Sequence, residues 1–481
     1  MAYVDYSAIA PFVIMAVSAM VAIILISIRR NHAIIYWQSL VGMFIAFISL
    51  AATPRVAPHR ESTILIIDQY SLYFMGLILI LSAIAATFSY IYLRHFNDHK
   101  EELYVLITIS AMGGMVLASS NNFVSLFLGF EILSVTLYVM IGFLRDSVFN
   151  LEAAIKYLIL AAAASAFLVL GMAFIYAETG TLDFTAAINI ISSSDSSGWL
   201  YLFMGTGLII VGLGFKIGVV PFHMWTPDIY QGASAPVTAF IASVSKTAMV
   251  AFLIRYFSYI DFRTSAGLVF IFAAIAVLSM LAGNLLAIIQ KNIKRLLAYS
   301  SIAHLGYILV GLVALGGRSA EAIIYYITVY SITITGAFGL IAFISHAGEE
   351  TDDIESYRGL FWRKPLAAGL LAILLFSLAG IPLTAGFIGK YYIVLAGIGK
   401  ALWFPVIVLI VSSVIGLYYY LRVIAIMVES SETQTETVSL PKFSVARALV
   451  LSIVSLLILL LGIFPAPLIA LIRQALFASA F

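Results

Sequence analysis

Long apolar segments separated by short polar stretches account for most of the sequence. Of its 481 residues, 63% are hydrophobic and 10% are charged, whereas a soluble domain has about 25% charged residues. A helix needs about 20 apolar residues to cross a bilayer, so the segments predict an all-α polytopic membrane protein with about 14 transmembrane helices. The predicted spans lie near residues 9–28, 33–52, 70–93, 103–120, 122–144, 152–177, 201–220, 236–257, 266–289, 295–316, 321–345, 366–396, 402–428 and 446–472.

Several kinds of chemistry are excluded by what the sequence lacks. Cysteine is absent, which excludes disulfides, thiol chemistry and any iron–sulfur cluster held by cysteine in this chain. Neither a G-x-G-x-x-G motif nor a P-loop occurs, and no set of His, Asp and Glu shows metal spacing. The net charge of +2 gives no reason to expect nucleic acid. We therefore expect no cofactor and no metal in this chain.

Lysine and arginine are distributed unevenly between the two sides of the predicted spans. With the N-terminus outside, fifteen of the 25 lie on cytoplasmic loops and helix ends, seven lie on the opposite side, and three lie within spans. Cytoplasmic loops of membrane proteins carry an excess of these residues, so both termini are predicted on the outer side. The first apolar segment has neither a basic leader nor a small-residue cleavage site, and we expect it to be a retained helix.

Three lysines and a glutamate lie inside predicted spans rather than at their ends. They are Glu131, Lys216, Lys246 and Lys390. A charge that faces lipid at the centre of a span costs about 2.5–3.5 kcal/mol, so these side chains should face the bundle interior, where Glu131 can pair with a lysine. Burial disfavours the charged form of such groups, and a nearby opposite charge favours it. Groups balanced in this way are suited to a proton relay.

The same positions also allow a structural interpretation. Any one of the four charges could belong to a static ion pair that ties helices together, and nearby serines could satisfy Lys246. His304 is the other titratable nitrogen well inside a span; a histidine among small residues is more often a packing residue, yet its charge changes near neutral pH. His223, which closely follows Pro221, fits a structural and a functional role equally well.

Two helix-breaking prolines mark predicted spans: Pro221 directly follows the seventh, and Pro382 lies in the twelfth. Proline lacks a backbone donor and clashes with the preceding turn, and a broken helix in a bilayer must face protein or a wet cavity. When spans four to eight are set beside spans nine to thirteen, the two breaks correspond, and each broken span carries a lysine. Five spans per half is an odd number, so the second half should be inverted. Paired broken helices in inverted repeats indicate an ion site near the midplane.

This symmetry predicts four parts of the chain. Residues 1–100 hold three N-terminal helices, residues 101–257 hold the first five-helix repeat, residues 258–428 hold the second, inverted repeat, and residues 429–481 hold a cytoplasmic loop and the last helix. Each repeat is expected to supply one half-channel, open to opposite sides and joined by the buried charges.

Five motifs resemble those of a known family. GFKIGVVPFHMWTPDIYQGASAPV at 214–237 and NIKRLLAYSSIAHLGY at 292–307 are similar to the antiporter-like membrane subunits of respiratory complex I and of multisubunit cation/proton antiporters. YRGLFWRKP at 357–365, SLAGIPLTAGFIGKYYI at 377–393 and IGLYYYLRV at 415–423 favour the branch of bacterial NADH:quinone oxidoreductase subunit N. One departure is Ser234, where the motif often has proline.

The resemblance implies a proton-translocating module with a central polar axis. Matched motif by motif, it gives Glu131 the role of the fifth-helix glutamate that pairs with a lysine. It places Lys216, Lys246 and Lys390 on the lysines of the seventh, eighth and twelfth helices, and His304 on the histidine of the tenth. The five residues would form the proton relay, with His223 as a secondary candidate and Pro221 and Pro382 as the helix breaks.

The resemblance also implies where the redox chemistry is located. NADH, FMN, iron–sulfur clusters and quinone are expected in partner subunits, and this chain would carry out only the translocase step. Its expected partners are the antiporter-like subunit M, small membrane subunits such as K and J, and the lipid of a bacterial inner membrane. Two alternatives stay open: a subunit of a sodium/proton antiporter, and a structural membrane-arm subunit without its own proton path.

Overall fold

The computed structural model describes residues 6–53, 64–94, 96, 100–144, 148–193, 199–260, 266–316, 318–345, 351–429 and 445–477. Helices account for most of this part of the chain. The first eleven are α1 Tyr6–Ile28, α2 His32–Ala52, α3 Gln69–Leu93, α4 Glu102–Ala118, α5 Phe123–Ile141, α6 Val148–Thr179, α7 Phe184–Ser193, α8 Trp199–Ile217, α9 Trp225–Gly232, α10 Ala235–Phe240 and α11 Lys246–Ser258. The others are α12 Ala266–Ile288, α13 Ile293–Val313, α14 Ser319–Ile344, α15 Leu360–Arg363, α16 Pro365–Ala379, α17 Ala385–Gly399, α18 Trp403–Val428, α19 Val445–Ile463 and α20 Ala466–Phe477.

The all-helical membrane fold is confirmed, but the count of 14 spans is not. Within the described ranges, eleven helices are long and apolar enough to cross a membrane, or up to twelve if the bent pair α19 and α20 forms one span. Three further apolar helices, α4, α16 and α17, are shorter. The predicted twelfth span accounts for two of these, because its break divides it into helices of 15 residues each.

Three spans form the centre of the bundle. The span Ala235–Ser258, which joins α10 to α11 through a π-helical turn at Ile241–Ser245, is 100% buried over its most apolar window. The corresponding value for α13 and for α14 is 94%, whereas it is 33% for α1 and for α6. Side chains on the central helices are therefore shielded from lipid, and polar groups there must find partners within the protein.

Both predicted helix breaks are confirmed. Helix α8 ends at Ile217, and a turn that contains Pro221 leads to α9, whereas α16 ends at Ala379, and a turn that contains Pro382 leads to α17. The residue directly after each helix is a glycine with positive φ, 73° at Gly218 and 82° at Gly380. A left-handed glycine is a common helix stop, because a side chain is disfavoured in that conformation.

One break was not predicted from sequence. The single span expected near 446–472 is two helices, α19 and α20, that meet at an angle of 83°. Pro465 lies between them, and proline disfavours helical geometry in the residue before it. The segment predicted as the last span is therefore bent sharply at this proline.

Helices α5 and α13 begin in the same way, with an asparagine cap that also forms a β-bridge, as expected for repeated halves. Asn122 caps α5 and forms an isolated β-bridge with Asp183. Asn292 caps α13 and forms the same kind of bridge with Asp353. These helices are the fifth and tenth predicted spans, which correspond when the two halves are set side by side.

Candidate functional site

Lys216 lies in the last turn of α8, immediately before the first break, and is fully buried. Its Nζ donates to Ser134 Oγ at 2.6 Å and to the Tyr157 hydroxyl at 3.3 Å. The ring of Phe130 lies 4.8 Å from the ammonium. Hydroxyl groups and aromatic faces thus replace the water that a lysine would have at a surface.

Glu131 lies one turn before Ser134 on α5 and is only partly buried. Its carboxylate accepts a hydrogen bond from the Ser165 hydroxyl of α6. It attracts the Lys216 ammonium electrostatically, but within the described part of the chain no direct contact joins the two side chains. Glu131 and Lys216 therefore interact at a distance, and Ser134 is a direct acceptor of the ammonium.

Lys246 directly follows the π-helical turn and is also fully buried. Its Nζ donates to the carbonyl oxygens of Ile217 at 2.6 Å and Lys216 at 3.3 Å. These carbonyls form the open end of α8, where the helix dipole is negative. The Trp225 ring lies 4.7 Å away. The serine alternative is not supported, because both hydrogen bonds of the Lys246 Nζ go to carbonyls of α8.

Lys390 is buried on α17, beyond the second break. Its Nζ reaches back across the break to the carbonyl oxygens of Leu378 at 3.0 Å and Ala379 at 2.9 Å. It also donates to Ser413 Oγ at 3.0 Å, and the Tyr307 ring lies 5.2 Å from it. Lys390 thus contacts the open end of α16 as Lys246 contacts the open end of α8.

His304 is buried among tyrosines in the centre of the second half. Its Nδ1 lies 2.7 Å from the Tyr326 hydroxyl, and its Nε2 lies 3.2 Å from the Tyr420 hydroxyl. The ring centroids of Tyr307 and Tyr330 lie 5.4 Å and 5.3 Å from that of the imidazole. Because Lys390 and His304 both border Tyr307, they belong to one cluster. Both ring nitrogens have hydroxyl partners, which fits a packing residue and a proton carrier alike.

Hydroxyl groups on the central helices lie between the two clusters. Thr247, the residue after Lys246, lies 2.7 Å from Ser331 on α14, measured between the side-chain oxygens. The adjacent Tyr330 donates its hydroxyl to Ser301 Oγ at 2.7 Å and packs against His304. Two separate hydrogen-bonded pairs, Thr247–Ser331 and Tyr330–Ser301, therefore lie between Lys246 and His304.

The secondary candidates lie in the two breaks. His223 is buried in the turn between α8 and α9, and its Nδ1 has no hydrogen-bond partner among the described residues. Pro221 and Pro382 are both exposed. The structure thus brings Glu131 and two lysines together on one side and His304 with Lys390 on the other, while His223 belongs to the turn.

Arg255 and Asp68 form a buried ion pair that sequence reasoning missed. Two guanidinium nitrogens donate to the two carboxylate oxygens at 3.0 Å and 2.8 Å. Asp68 also caps α3, and Tyr70 stacks beneath the guanidinium at 4.8 Å. Arg255 lies near the end of a predicted span, so it was assigned to the membrane surface. The available signal was the aspartate directly before an apolar helix, a common cap.

A second missed group of charges lies near the starts of α9 and α13. Asp228 accepts from Arg295 at 2.7 Å and from Lys156 at 3.2 Å. Lys294 is buried and donates to the Ala233 carbonyl at 3.1 Å. The positive charges of this region were predicted at the cytoplasmic surface, but the sequence did not show that they tie α6, α9 and α13 together.

Comparison with known proteins identifies the family. The model of the family described as NADH:quinone oxidoreductase/Mrp antiporter, TM, matches residues 120–416. This range covers more than half of the chain and contains all five candidate relay residues. The chain belongs to this family. The resemblance inferred from sequence motifs is therefore confirmed. Across the described residues, no group of three His, Cys, Asp or Glu is placed to hold a metal ion.

Individual relatives of this chain agree with the family assignment. The chain is 43% identical over 383 residues to NADH-quinone oxidoreductase subunit N of Ectopseudomonas mendocina (strain ymp), covering 78% of this chain and 77% of that one. It also resembles a chain of respiratory complex I from Thermus thermophilus with bound aureothin, with a TM-score of 0.82 at 30% identity over 96% of this chain and 98% of the other.

Two other membrane complexes contain chains of the same fold. A chain of the archaeal membrane-bound sulfane sulfur reductase has a TM-score of 0.86 at 25% identity, over 97% of this chain and 96% of that one. A chain of the Mrp complex from a Dietzia species has a TM-score of 0.84 at 19% identity, over 98% of this chain and 97% of the other. The last likeness shows the fold alone.

Proposed function

We propose that this chain is a proton-translocating membrane-arm subunit of NADH:quinone oxidoreductase (complex I), of the subunit N type. It moves protons along a central chain of buried Lys, Glu and His side chains, driven by quinone reduction elsewhere in the complex. The chain is thus part of a translocase and holds no redox centre of its own.

One observation carries this proposal. Three lysines are buried inside a bundle whose family model spans them, and two of these place their ammonium groups on the open carbonyl ends of broken helices. Buried ionisable groups in membrane spans are costly, and they mark ion paths and proton relays. Broken helices near the midplane of repeated halves are typical of such paths.

The contacts indicate how a proton could cross the chain. The Lys216 ammonium, held by Ser134 and Tyr157, releases a proton towards Lys246, which contacts the same end of α8. From there the proton passes along the hydroxyl groups to His304 and on to Lys390. Lys216 is then reloaded from the cytoplasmic side, and Glu131 stabilises its charged form electrostatically.

The partners follow from this assignment. NADH, FMN, iron–sulfur clusters and quinone are bound by other subunits, and this chain contacts the antiporter-like subunit M and small membrane subunits such as K and J. It lies in the bacterial inner membrane as a multi-pass protein with both termini on the periplasmic side. The four predicted parts, with repeats over 101–257 and 258–428, remain part of this proposal.

The Lys390→Ala variant tests the relay. In reconstituted complex, we expect fewer protons moved per NADH oxidised, because the second cluster loses its terminal carrier. Undiminished coupling in an assembled complex would remove Lys390 from the path. Poor assembly with unchanged coupling in the complexes that do form would favour a structural role, whereas sodium flux without NADH oxidation would favour an antiporter.

A further inference from the structure

The ammonium groups of Lys246 and Lys390 occupy matching positions, although they arrive by different routes. Lys246 donates to the carbonyls of Lys216 and Ile217, the last two residues of α8. Lys390 donates to the carbonyls of Leu378 and Ala379, the last two residues of α16. Lys246 comes from the following span, whereas Lys390 comes from the second helix of the broken span itself. Sequence alignment of the halves therefore cannot reveal the match.

A glycine with positive φ follows the carbonyl pair in both places. At Gly218 an added Cβ would lie 3.2 Å from the Lys246 Nζ and 2.5 Å from Thr226 Oγ1. At Gly380 an added Cβ would lie 3.0 Å from Cδ, 3.1 Å from Nζ and 3.3 Å from Cε of Lys390. In the second break the missing side chain leaves the space that Lys390 fills, whereas in the first break Thr226 and Lys246 share that space.

An aromatic ring completes each position. Trp225 lies 4.7 Å from the Lys246 ammonium, and Tyr307 lies 5.2 Å from that of Lys390. The two positions thus share a helix end, a left-handed glycine, two carbonyl acceptors and a ring. We call them lysine seats. Lys216, which lies before its break and bonds to side chains, has no seat of this kind.

We propose that Gly218 and Gly380 are positioning residues that create two equivalent lysine seats, and that proton transfer requires Lys246 and Lys390 to dock in them. This inference rests on the proposed proton translocation. It assigns equivalence to Lys246 and Lys390, whereas the sequence symmetry had paired Lys216 with Lys390.

The chemistry of the seats matches a protonated lysine. An ammonium has three donors and no acceptor, and Lys390 uses three contacts, to two carbonyls and to Ser413. A neutral amine has one donor fewer, and its lone pair would face a carbonyl oxygen. Loss of the proton therefore weakens the docking and frees a long, flexible side chain to move, so each seat links the protonation state to the position of the lysine.

Gly380→Ala is the cleaner test, because the three atoms nearest to its added Cβ all belong to Lys390. The matched control is Gly180→Ala at the end of α6, where φ is 65° and nothing lies within 4 Å of an added Cβ. Both variants carry the backbone strain, and only the first crowds a lysine. In reconstituted complex, Gly380→Ala should lower the protons moved per NADH oxidised, whereas Gly180→Ala should leave this ratio near that of the parent.

A second readout separates seat geometry from general damage. The solubilised complex loses this subunit at a characteristic temperature, measured at one heating rate. Gly380→Ala should lower this temperature more than Gly180→Ala does. When Lys390→Ala is also present, the two glycine variants should lower this temperature equally, because the crowded lysine side chain is gone. An equal effect in both backgrounds, or coupling like that of the control, would overturn the inference.

Two further variants keep the test decisive. If Gly380→Ala does not assemble, Ser413→Ala removes one acceptor without adding bulk and should still lower the proton yield; a normal yield would overturn the seat. Normal pumping by Lys390→Ala alone would refute the proposed relay. The dissociation temperatures of Gly380→Ala and Gly180→Ala, measured with and without Lys390→Ala, would still test the seat independently.

Discussion

Arg255 and Asp68 pair inside the bundle with side chains that are 2% and 0% exposed. Removing one partner of a buried pair leaves an uncompensated charge, which costs about 3–5 kcal/mol. We therefore predict that Asp68→Ala strongly lowers the amount of this subunit in purified complex and the temperature at which the complex dissociates. Quantitative immunoblots and a thermal dissociation assay provide the measurements.

Two controls define this prediction. Glu152→Ala removes the partner of Lys156 in a surface pair whose side chains are 53% and 45% exposed, and such pairs contribute at most about 1 kcal/mol. The double variant Asp68→Leu with Arg255→Met should recover much of the loss, because no charge is left unpaired. A mild effect of Asp68→Ala, equal to that of Glu152→Ala, would show that the pair is not a stability determinant.

At this scale, the positions of the buried lysines were predictable, and their partners were not. A charge within an apolar run is visible in a sequence, which is why Lys216, Lys246 and Lys390 were found. Two of the three donate to backbone carbonyls, and every residue supplies a carbonyl. Ser134, which accepts a hydrogen bond from the Lys216 ammonium, was not predicted for a related reason, because serine is common in membrane helices.

Helices α12 and α13 approach each other closely at the level of whole elements. A Cβ added at Gly283 of α12 would lie 2.7 Å from both the Ala303 nitrogen and the Tyr299 oxygen of α13. Small residues allow such backbone contact in membranes, and forcing in a methyl group costs about 1–3 kcal/mol. Gly283→Ala should therefore lower the dissociation temperature of the complex.

Gly267→Ala is the matched control on the same helix, because nothing lies within 4 Å of its added Cβ. It should behave as the parent, or slightly better, since alanine favours helix. Equal behaviour of the two variants would mean that the close approach does not contribute to stability.

Helix breaks show what sequence patterns reveal about elements. Pro221 and Pro382 predicted the breaks because proline cannot continue a helix, yet the lengths of the flanking helices depend on the glycines that stop them. Pro465 is the same signal, and it was overlooked in a segment that is apolar on both sides. Hydropathy measures composition along a window and does not register an 83° bend.

Across the whole molecule, the absence of cysteine provides a direct test of topology. A single introduced cysteine is the only thiol in the chain, so Ser479→Cys can be labelled selectively from one side. With both termini periplasmic, a membrane-impermeant maleimide should label it in intact spheroplasts. Ser430→Cys, in the loop predicted on the cytoplasmic side, should react only after permeabilisation, and the reverse pattern would contradict the predicted orientation.

The spacing of spans and prolines predicts two matching halves, and the shared caps of α5 and α13 agree with this prediction. The central position of α13, α14 and the Ala235–Ser258 span was not, because hydropathy is similar for buried and lipid-facing helices. The candidate site residues could be named from the sequence, whereas their division into two clusters with hydroxyl groups between them required the structure.

The most direct test of proton translocation uses membranes that carry Lys216→Met, with Lys400→Met as the control at an exposed lysine outside the axis. Immunoblots establish that the complex has assembled, and NADH-driven quinone reduction and the resulting pH gradient are then measured. Loss of both in Lys216→Met alone is the predicted result, because the first cluster loses its proton donor. Normal quinone reduction with a normal gradient would contradict the proposal and direct attention to sodium flux.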